Sequence, residues 1–308
     1  MSIIVDVQEL TKRYGSLLAV NKVSFAIEKG EIFGFLGPNG AGKTTCLEMM
    51  EGLRKPDGGK VLLKGFSVWP DPRKVKNLIG VQLQSTSFYE ELTVKEILVL
   101  FASLYGRRLS AQQLASLLEM AGLAEKRNAY TNTLSGGQKQ RLAIITALVN
   151  EPEIIFLDEP TTGLDPQARR RSWEIIQELQ GKGKTIILTT HYMEEAENLC
   201  ERVAIIDQGK IVAIDQPQKL IDQLGQKAKI SFASSRPLES VFLAQLGAEA
   251  GQVNAGDGQV VFASDPAQTI GMLLEKAKQD GIVINNLHVS SPSLDDVFLG
   301  LTGKELRD

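Results

Sequence analysis

The chain has 308 residues, of which 43% are hydrophobic and 23% charged, and this ordinary globular composition predicts about two domains at roughly 150 residues each. The formal net charge of -3 gives no basic excess, so we expect no nucleic-acid partner. The two cysteines stand far apart outside any CxxC pattern, which argues against a disulfide framework and favours a reducing compartment.

No apolar run approaches the roughly 18–20 residues that a membrane-spanning helix needs, and the first residues lack the pattern of a secretion signal. We therefore expect a cytoplasmic protein. If it serves a membrane process, a separate membrane partner must carry that process.

The first part of the chain predicts strands followed by a loop and a helix. Apolar residues alternate within residues 3–7 and 23–27, which is the strand period, and residues 28–31 read as a turn. Residues 32–36 form a short apolar run before a glycine-rich loop, and residues 44–52 favour a helix.

Helical spacing then dominates residues 93–121, and a further helix is predicted from Gln138. Beyond it, buried strands and helices alternate: strands at 154–157, 185–188 and 203–206, and helices near 167–180 and 192–200. This alternation predicts an α/β fold with a mostly parallel sheet covered by helices.

After about residue 225 the pattern changes to a small α+β domain. It predicts strands at 230–232, 260–262 and 282–284, helices near 238–246 and 266–279, a hairpin turn at 256–258 and an amphipathic end from Ser293. The predicted domains are therefore residues 1–224 and 225–308.

The glycine-rich loop predicts a phosphate-binding site. The segment Gly37-Pro38-Asn39-Gly40-Ala41-Gly42-Lys43-Thr44 matches the pattern G-x-x-x-x-G-K-[ST] in full, between a strand and a helix. Glycines let backbone N–H groups point at phosphates, and the helix start adds partial positive charge. Lys43 can reach the β- and γ-phosphates and the Thr44 hydroxyl can ligate Mg²⁺, so the loop predicts a nucleoside triphosphatase.

Two acidic residues follow the apolar strand at 154–157, and they predict the second half of the chemistry. Ligands bind at the carboxyl ends of strands in open α/β sheets. There Asp158 can hold Mg²⁺, directly or through water, and Glu159 can orient or deprotonate the attacking water.

A third motif carries a family resemblance. The segment Leu134-Ser135-Gly136-Gly137-Gln138 resembles the LSGGQ signature of ABC ATPases, about 20 residues before the acidic pair. Its serine and glycines also predict an anion-binding helix start. The resemblance covers about residues 1–220 and implies a P-loop ABC ATPase core with an antiparallel β subdomain and a helical insert at about 86–150.

The resemblance implies roles for further residues. Tyr14 matches the aromatic residue that stacks on adenine, and Thr45 continues the phosphate loop. Gln84 matches the glutamine that touches Mg²⁺ and water, although Gln82 lies two residues away. Asp165 matches the loop that crosses the dimer interface, and His191 matches the histidine that contacts the γ-phosphate.

The resemblance further implies a homodimer in which each ATP lies between the phosphate loop of one copy and the LSGGQ helix of the other. ATP binding closes the pair, hydrolysis opens it, and the insert docks a membrane subunit. Residues 190–196, 203–207 and 293–303 resemble the drug-resistance (daunorubicin-type) ABC-2 exporters. That group implies a separate ABC-2 type permease, a place on the inner face of the cell membrane, and a cargo of drugs or other hydrophobic compounds.

Two alternatives remain open from the sequence. One is a soluble ABC ATPase that acts on a non-transport macromolecule, but a single cassette without a long coiled coil disfavours it. The other is a nucleotide sensor that does not hydrolyse ATP, which would predict degenerate motifs.

Overall fold

A computed structural model describes residues 2–84, 87–225, 227–236, 238, 242 and 258–302. The chain divides into two compact units, Met1–Pro217 with Leu301–Asp308, and Gln218–Gly300. The division lies before the predicted boundary at residue 224.

The first unit holds a four-stranded antiparallel sheet and a six-stranded sheet. The antiparallel sheet has the order β2-β1-β4-β5, with β1 Ile3–Tyr14, β2 Leu17–Glu28, β4 Gly58–Leu63 and β5 Phe66–Ser67. The larger sheet has the order β10-β9-β3-β8-β7-β6, with β3 Ile32–Leu36, β6 Ile79–Gln82, β7 Ile154–Asp158, β8 Thr185–Thr190, β9 Arg202–Asp207 and β10 Lys210–Asp215.

The larger sheet is parallel except at β10, which pairs antiparallel with β9. Strands β3, β7 and β8 are buried along their whole length, as expected for a parallel sheet covered on both faces. The rings of Phe25, Phe33 and Phe35 pack between the two sheets with centroid separations of 5.2 to 5.4 Å.

Seven helices connect the strands up to residue 223 among the described residues. Their bounds are α1 Lys43–Met50, α2 Val94–Leu104, α3 Ala111–Met120, α4 Gly136–Thr146, α5 Pro166–Gly181, α6 Met193–Leu199 and α7 Pro217–Gln223. Helices α2, α3 and α4 lie within the predicted insert. Helix α4 begins at Gly136 rather than at Gln138, because Ser135 caps it.

The described part of the second unit contains a three-stranded antiparallel sheet of order β12-β11-β13 and, after α7, two further helices. The elements are β11 Ala228–Ser234, β12 Gly258–Ala263, α8 Pro266–Gln279, β13 Ile284–Ser290 and α9 Leu294–Thr302. Its own core contains Ile230, Phe232, Val261 and Leu273. Most of the predicted helix near 238–246 and most of the predicted turn at 256–258 lie outside the described residues.

The strand predicted at 282–284 is wrong in its position. Gly281 has φ of 61°, and the Ile282 N–H donates to Ala277 O at 2.8 Å, so Ile282 closes the end of α8 instead of starting a strand. Strand β13 therefore begins at Ile284.

Candidate functional site: a nucleotide site at the carboxyl edge of the parallel sheet

The phosphate loop runs from the end of β3 into α1, and its backbone requires glycine. A Cβ on Gly37 would lie 2.2 Å from Ile206 O, and a Cβ on Gly42 would lie 2.5 Å from Ala19 O. Gly42 also has φ of 105° and is the N-cap of α1. The turn therefore brings the start of α1 and the end of β3 to one point, while Pro38, Asn39 and Gly40 line its outer side and Ala41 is buried beneath it.

Lys43 points into the loop that it follows. Its ammonium group donates to Gly37 O at 2.6 Å and to Pro38 O at 3.1 Å, and it lies 4.0 Å from Glu159 Oε1. The residue is only 4% exposed. Burial lowers the pKa of Lys43, while the Glu159 and Asp158 carboxylates oppose that shift. The positive charge thus lies where the loop would hold phosphates.

Asp158 ends β7 beside the phosphate loop. Its Oδ1 accepts a hydrogen bond from Thr44 Oγ1 at 3.3 Å and another, short one from Thr189 Oγ1 on the neighbouring strand β8. Burial raises the pKa of Asp158, and the two hydroxyl hydrogen bonds oppose that shift.

This donor set fits Mg²⁺. No group of three or more His, Cys, Asp or Glu side chains in the described ranges could hold a metal. Mg²⁺ does not require such a cluster, because it usually keeps several waters and binds through one or two carboxylates and substrate phosphates. The carboxylate of Asp158 and the hydroxyl of Thr44 supply hard oxygen ligands of that type.

Glu159 lies at a turn where three segments meet. Its φ is 47°, its N–H donates to Thr189 Oγ1 at 2.9 Å, and its carboxylate accepts from Thr162 Oγ1 at 3.0 Å. Two further side chains face Glu159 Oε2, with Gln84 Nε2 at 3.5 Å and His191 Nδ1 at 3.4 Å. The carboxylate is therefore held in place and approached from the ends of two other strands.

The structure distinguishes the two candidate glutamines. Gln82 is 2% exposed, and its amide donates to Leu83 O at 2.7 Å and to Asp158 O at 3.4 Å. Gln84 is exposed and reaches the Glu159 carboxylate. The geometry therefore brings Gln84 to the Glu159 carboxylate, whereas the Gln82 side chain contacts only the backbone of the acidic pair.

His191 has an unused ring nitrogen. Its Nδ1 is buried and makes no hydrogen bond of good geometry to any described residue, although it lies near Glu159 Oε2. Its ring packs on Tyr192 with 4.2 Å between centroids, and the Arg169 guanidinium covers Tyr192 at 4.2 Å. The imidazole ring is thus packed against Tyr192, while its Nδ1 remains available to a further hydrogen-bond partner.

The LSGGQ segment forms a self-contained helix start. The Ser135 hydroxyl accepts from Gln138 N at 3.3 Å, and the Gln138 side chain accepts from Ser135 N at 2.9 Å, which is a capping box. Gly136 is exposed, and a Cβ on Gly137 would lie 2.8 Å from the Ala168 Cβ. Because Ser135 and Gln138 bond to each other, their hydrogen bonds do not join this helix start to the phosphate loop of the same chain.

Asp165 is a second helix cap. Its carboxylate accepts from Ala168 N at 2.8 Å at the start of α5, and the preceding Gly163 has φ of 74°. Asp165 itself is exposed, so it is available at the surface beside α4 and α5.

Tyr14 is 39% exposed at the end of β1. The Arg54 guanidinium lies 5.4 Å and the Lys12 ammonium 5.8 Å from the centroid of its ring. Arg54 also pairs with Glu48 on α1, so the ring is linked to the helix of the phosphate loop.

Comparisons with known proteins agree with these observations. The family model described as ABC transporter matches residues 20–162. The chain is 40% identical over 306 residues to Nod factor export ATP-binding protein I of Rhizobium etli, covering 98% of this chain and 94% of that protein. The chain belongs to the ABC transporter ATP-binding proteins. The corresponding protein of Ralstonia nicotianae is 38% identical over 310 residues, covering 99% of this chain and 95% of its own length.

Solved ABC structures resemble the chain in fold. The ATP-binding subunit of an ABC transporter has a TM-score of 0.65 and 30% identity, covering 72% of this chain and 93% of that structure. A dimeric ATP-binding cassette bound to ADP and Pi has a TM-score of 0.62 and 29% identity, covering 69% of this chain and 98% of that one. The predicted ABC ATPase fold and the resemblance to ATP-binding subunits are thus confirmed, and the chain binds and hydrolyses ATP as an ABC ATPase.

No described helix combines the length and apolar character that crossing a membrane requires.

Within the ABC ATPase fold, one edge of the sheet brings together six of the predicted site residues: Lys43, Thr44, Gln84, Asp158, Glu159 and His191. Tyr14, the Ser135 helix start and Asp165 lie on other elements, and no hydrogen bond or ion pair in the described part of the chain joins them to that group.

Sequence reasoning missed several residues that support the ABC site. Thr189 bonds both acidic residues, Thr162 bonds Glu159, and Arg54 covers Tyr14. The only signal was positional: Thr189 lies on the strand next to β7 and Thr162 follows the acidic pair. Hydroxyl residues at strand ends are common, so this signal alone does not identify them.

Proposed function

We propose that this ABC ATPase is the ATP-hydrolysing subunit of an exporter and acts as a homodimer on a separate ABC-2 type permease. The observation that carries the chemical part is the convergence of Lys43, Gln84 and His191 on the Glu159 carboxylate. The exporter part is supported by relatives named for Nod factor export that are similar over nearly the whole chain. As cargo we propose a drug-like or other hydrophobic compound.

In this proposal the loop at 37–44 and Lys43 bind the triphosphate, and Tyr14 stacks on the adenine ring. The carboxylate of Glu159 orients a water in line with the γ-phosphate and accepts its proton, while His191 donates a hydrogen bond to that phosphate. Thr44, Asp158 and Gln84 would hold Mg²⁺, which when bound neutralises phosphate charge.

The dimer part of the proposal rests on the separation of the two half-sites within one chain. Ser135, Gly136, Gly137 and Gln138 would bind the nucleotide held by the phosphate loop of a second copy, and Asp165 would lie at the interface between copies. The insert at about 86–150 would dock the permease on the inner face of the cell membrane. Residues 225–308 would form an accessory domain.

Glu159→Gln tests the chemistry. The amide keeps the shape and the Thr162 contact but cannot accept a proton, so we expect kcat to fall by about 100-fold or more, as for loss of a general base. ATP affinity, measured by equilibrium binding of a fluorescent ATP analogue, should stay close to that of the wild type.

The matched control is Glu174→Gln, which changes an exposed glutamate of α5 that pairs with Arg171. It should leave kcat unchanged. A Glu159→Gln protein that turns over ATP near the wild-type rate would show that Glu159 is not the group that activates water.

The exporter assignment is tested by purifying the tagged chain from cell membranes. We expect a polytopic membrane protein to co-purify and to raise the ATPase rate when both are reconstituted in vesicles. A chain that fractionates entirely away from membranes and is stimulated by a non-membrane macromolecule would support the alternative of a soluble ABC ATPase.

A further inference from the structure

Glu195 on α6 is a buried carboxyl group that the proposed chemistry does not use. It is 0% exposed, and it takes part in no ion pair among the residues that the structure describes. A carboxylate inside a protein is costly unless hydrogen bonds or cations compensate for the lost water. Its presence four residues after His191 therefore calls for a reason.

The hydrogen bonds of Glu195 join three segments. Its Oε1 accepts from Thr161 Oγ1 at 2.8 Å and from Trp173 Nε1 on α5 at 3.0 Å. Thr161 is itself 0% exposed, so this contact is shielded from water. Burial raises the pKa of Glu195, and the neighbouring side chains of Thr190, Thr161 and Trp173 oppose that shift.

The two residues of the contact between Thr161 and Glu195 lie close in sequence to Glu159 and His191, respectively. Thr161 follows Glu159 by two residues in the same tight turn, in which Thr162 N donates to Glu159 O at 3.3 Å. Helix α6 begins at Met193, two residues after His191. The bond from Thr161 to Glu195 therefore ties the turn that carries the carboxylate to the helix that follows the histidine, in addition to the bond from Glu159 N to Thr189 Oγ1 on β8.

We propose that Glu195 is a positioning residue for ATP hydrolysis, which acts through Thr161 to keep Glu159 within reach of His191. It touches neither nucleotide nor water in this role. The separation that it maintains is the 3.4 Å between Glu159 Oε2 and His191 Nδ1. This inference rests on the proposed role of Glu159.

Thr161 and Trp173 provide a matched pair of variants. Thr161→Val and Trp173→Phe each remove one hydrogen bond to the same oxygen, but only Thr161 belongs to the turn that carries Glu159. If Glu195 served only the stability of the fold, both variants would lower the melting temperature and neither would selectively lower kcat.

We expect Thr161→Val to lower kcat by about tenfold, because misplacement of a catalytic group by about 1 Å can cost about 100-fold in rate. The KM for ATP and the affinity for a fluorescent ATP analogue should stay within about twofold of the wild type, since no phosphate ligand is changed. Trp173→Phe should keep the wild-type kcat.

Two further variants show whether the effect passes through Glu195. Glu195→Gln keeps an acceptor oxygen for Thr161 and should lose less kcat than Glu195→Leu. In the Glu195→Leu background, Thr161→Val should add no further loss, because the bond is already absent. If Glu195→Leu does not fold, the role of Glu195 is decided by Glu195→Gln and by the comparison of Thr161→Val with Trp173→Phe.

Equal losses of kcat in Thr161→Val and Trp173→Phe that follow their melting temperatures would overturn the inference, and so would an unchanged kcat in Thr161→Val. The outcome is separable from the proposed function. If Glu159→Gln is inactive while Thr161→Val is normal, only the role of Glu195 fails; if Glu159→Gln is fully active, the proposed chemistry fails.

Discussion

At the scale of single residues, the clearest anomaly is Glu51, which follows α1. It is 4% exposed, and its Oε1 has no hydrogen-bond partner among the residues that the structure describes. Burial raises the pKa of Glu51 to about 8, with smaller contributions from the nearby carboxylates of Asp158 and Glu48. Unlike Asp158, it has no pair of hydroxyl donors to favour its ionised form, so it binds a proton in the folded protein.

This proton links stability to pH. Between the unfolded pKa of 4.5 and the folded pKa of about 8, the folded state holds a proton that the unfolded state has lost. The contribution of Glu51 to stability is therefore fully present below the unfolded value and is lost as pH rises through this window. Glu51→Gln should remove this slope and raise the free energy of unfolding at pH 7 by on the order of 3 kcal/mol, measured by urea denaturation at several pH values.

The control for Glu51→Gln is Glu48→Gln, which breaks the partly exposed pair with Arg54 on the same helix. It should change stability at pH 7 far less than Glu51→Gln does, since exposed pairs contribute at most about 1 kcal/mol and the Glu48 charge is only a minor cause of the raised pKa of Glu51. A Glu51→Gln protein that is less stable than the wild type at pH 7, with the same pH slope, would contradict the assignment of a buried proton.

The sequence predicts the roles of single residues where those residues belong to a motif of fixed spacing. The glycines of the loop at 37–44 stand at a fixed spacing before Lys43 and Thr44, so the pattern can be read directly from the chain, although the close approach of Ile206 to Gly37 and of Ala19 to Gly42 shows only in the fold. Glu51 and Glu195 owe their properties to burial by distant segments. Glu51 lies in no recognised motif, and the resemblance over residues 190–196 gave Glu195 no role. Sequence reasoning could not identify them for that reason. The roles of the motif residues stay predictions until variants test them.

At the scale of elements, three helices of the insert region start in the same way. Thr93, Ser110 and Ser135 each form a capping box with the residue three positions later. The cap explains why α4 begins before the predicted position. It also shows that the Ser135 hydroxyl already serves its own helix, so a role in nucleotide binding must be compatible with that bond.

Ser135→Arg and Ser110→Arg separate the two roles. Each variant removes a cap of the same type and should lower the free energy of unfolding by about 1 kcal/mol. Only Ser135→Arg should abolish ATP hydrolysis, because the bulky side chain fills the proposed phosphate position at that helix start. ATPase assays and thermal unfolding of the two purified variants check both parts. Equal ATPase rates in the two proteins would contradict the proposed role of the α4 start.

The elements of the parallel sheet were predictable because their strands are continuously apolar. Strands β7, β8 and β9 lie where the alternation of strand and helix predicted them. The strand order was not predictable, since it depends on pairings between distant segments such as β3 with β8. The shift of β13 has a local cause. Gly281, in the left-handed conformation, follows the end of α8, and Ile282 N–H bonds back to that helix instead of joining the sheet. Apolar content alone does not mark this boundary.

At the scale of the molecule, the ABC ATPase unit has its phosphate loop and its LSGGQ helix start on different elements. The phosphate loop and the acidic pair share one edge of the large sheet, while the Ser135 helix start keeps its hydrogen bonds to itself. The composition and alternation of the chain predicted the fold class, which the comparisons confirm. They could not predict the oligomeric state, because an interface depends on a second molecule.

The proposed shared site is tested most directly by the mass of the Glu159→Gln protein in solution, measured by light scattering with Mg²⁺ and either ATP or ADP. We predict a dimer with ATP, a monomer with ADP, and a monomer under both conditions when Ser135→Arg is added to Glu159→Gln. A double variant that still dimerises with ATP, or a wild-type monomer that hydrolyses ATP at full rate, would contradict a nucleotide held between two copies of the chain.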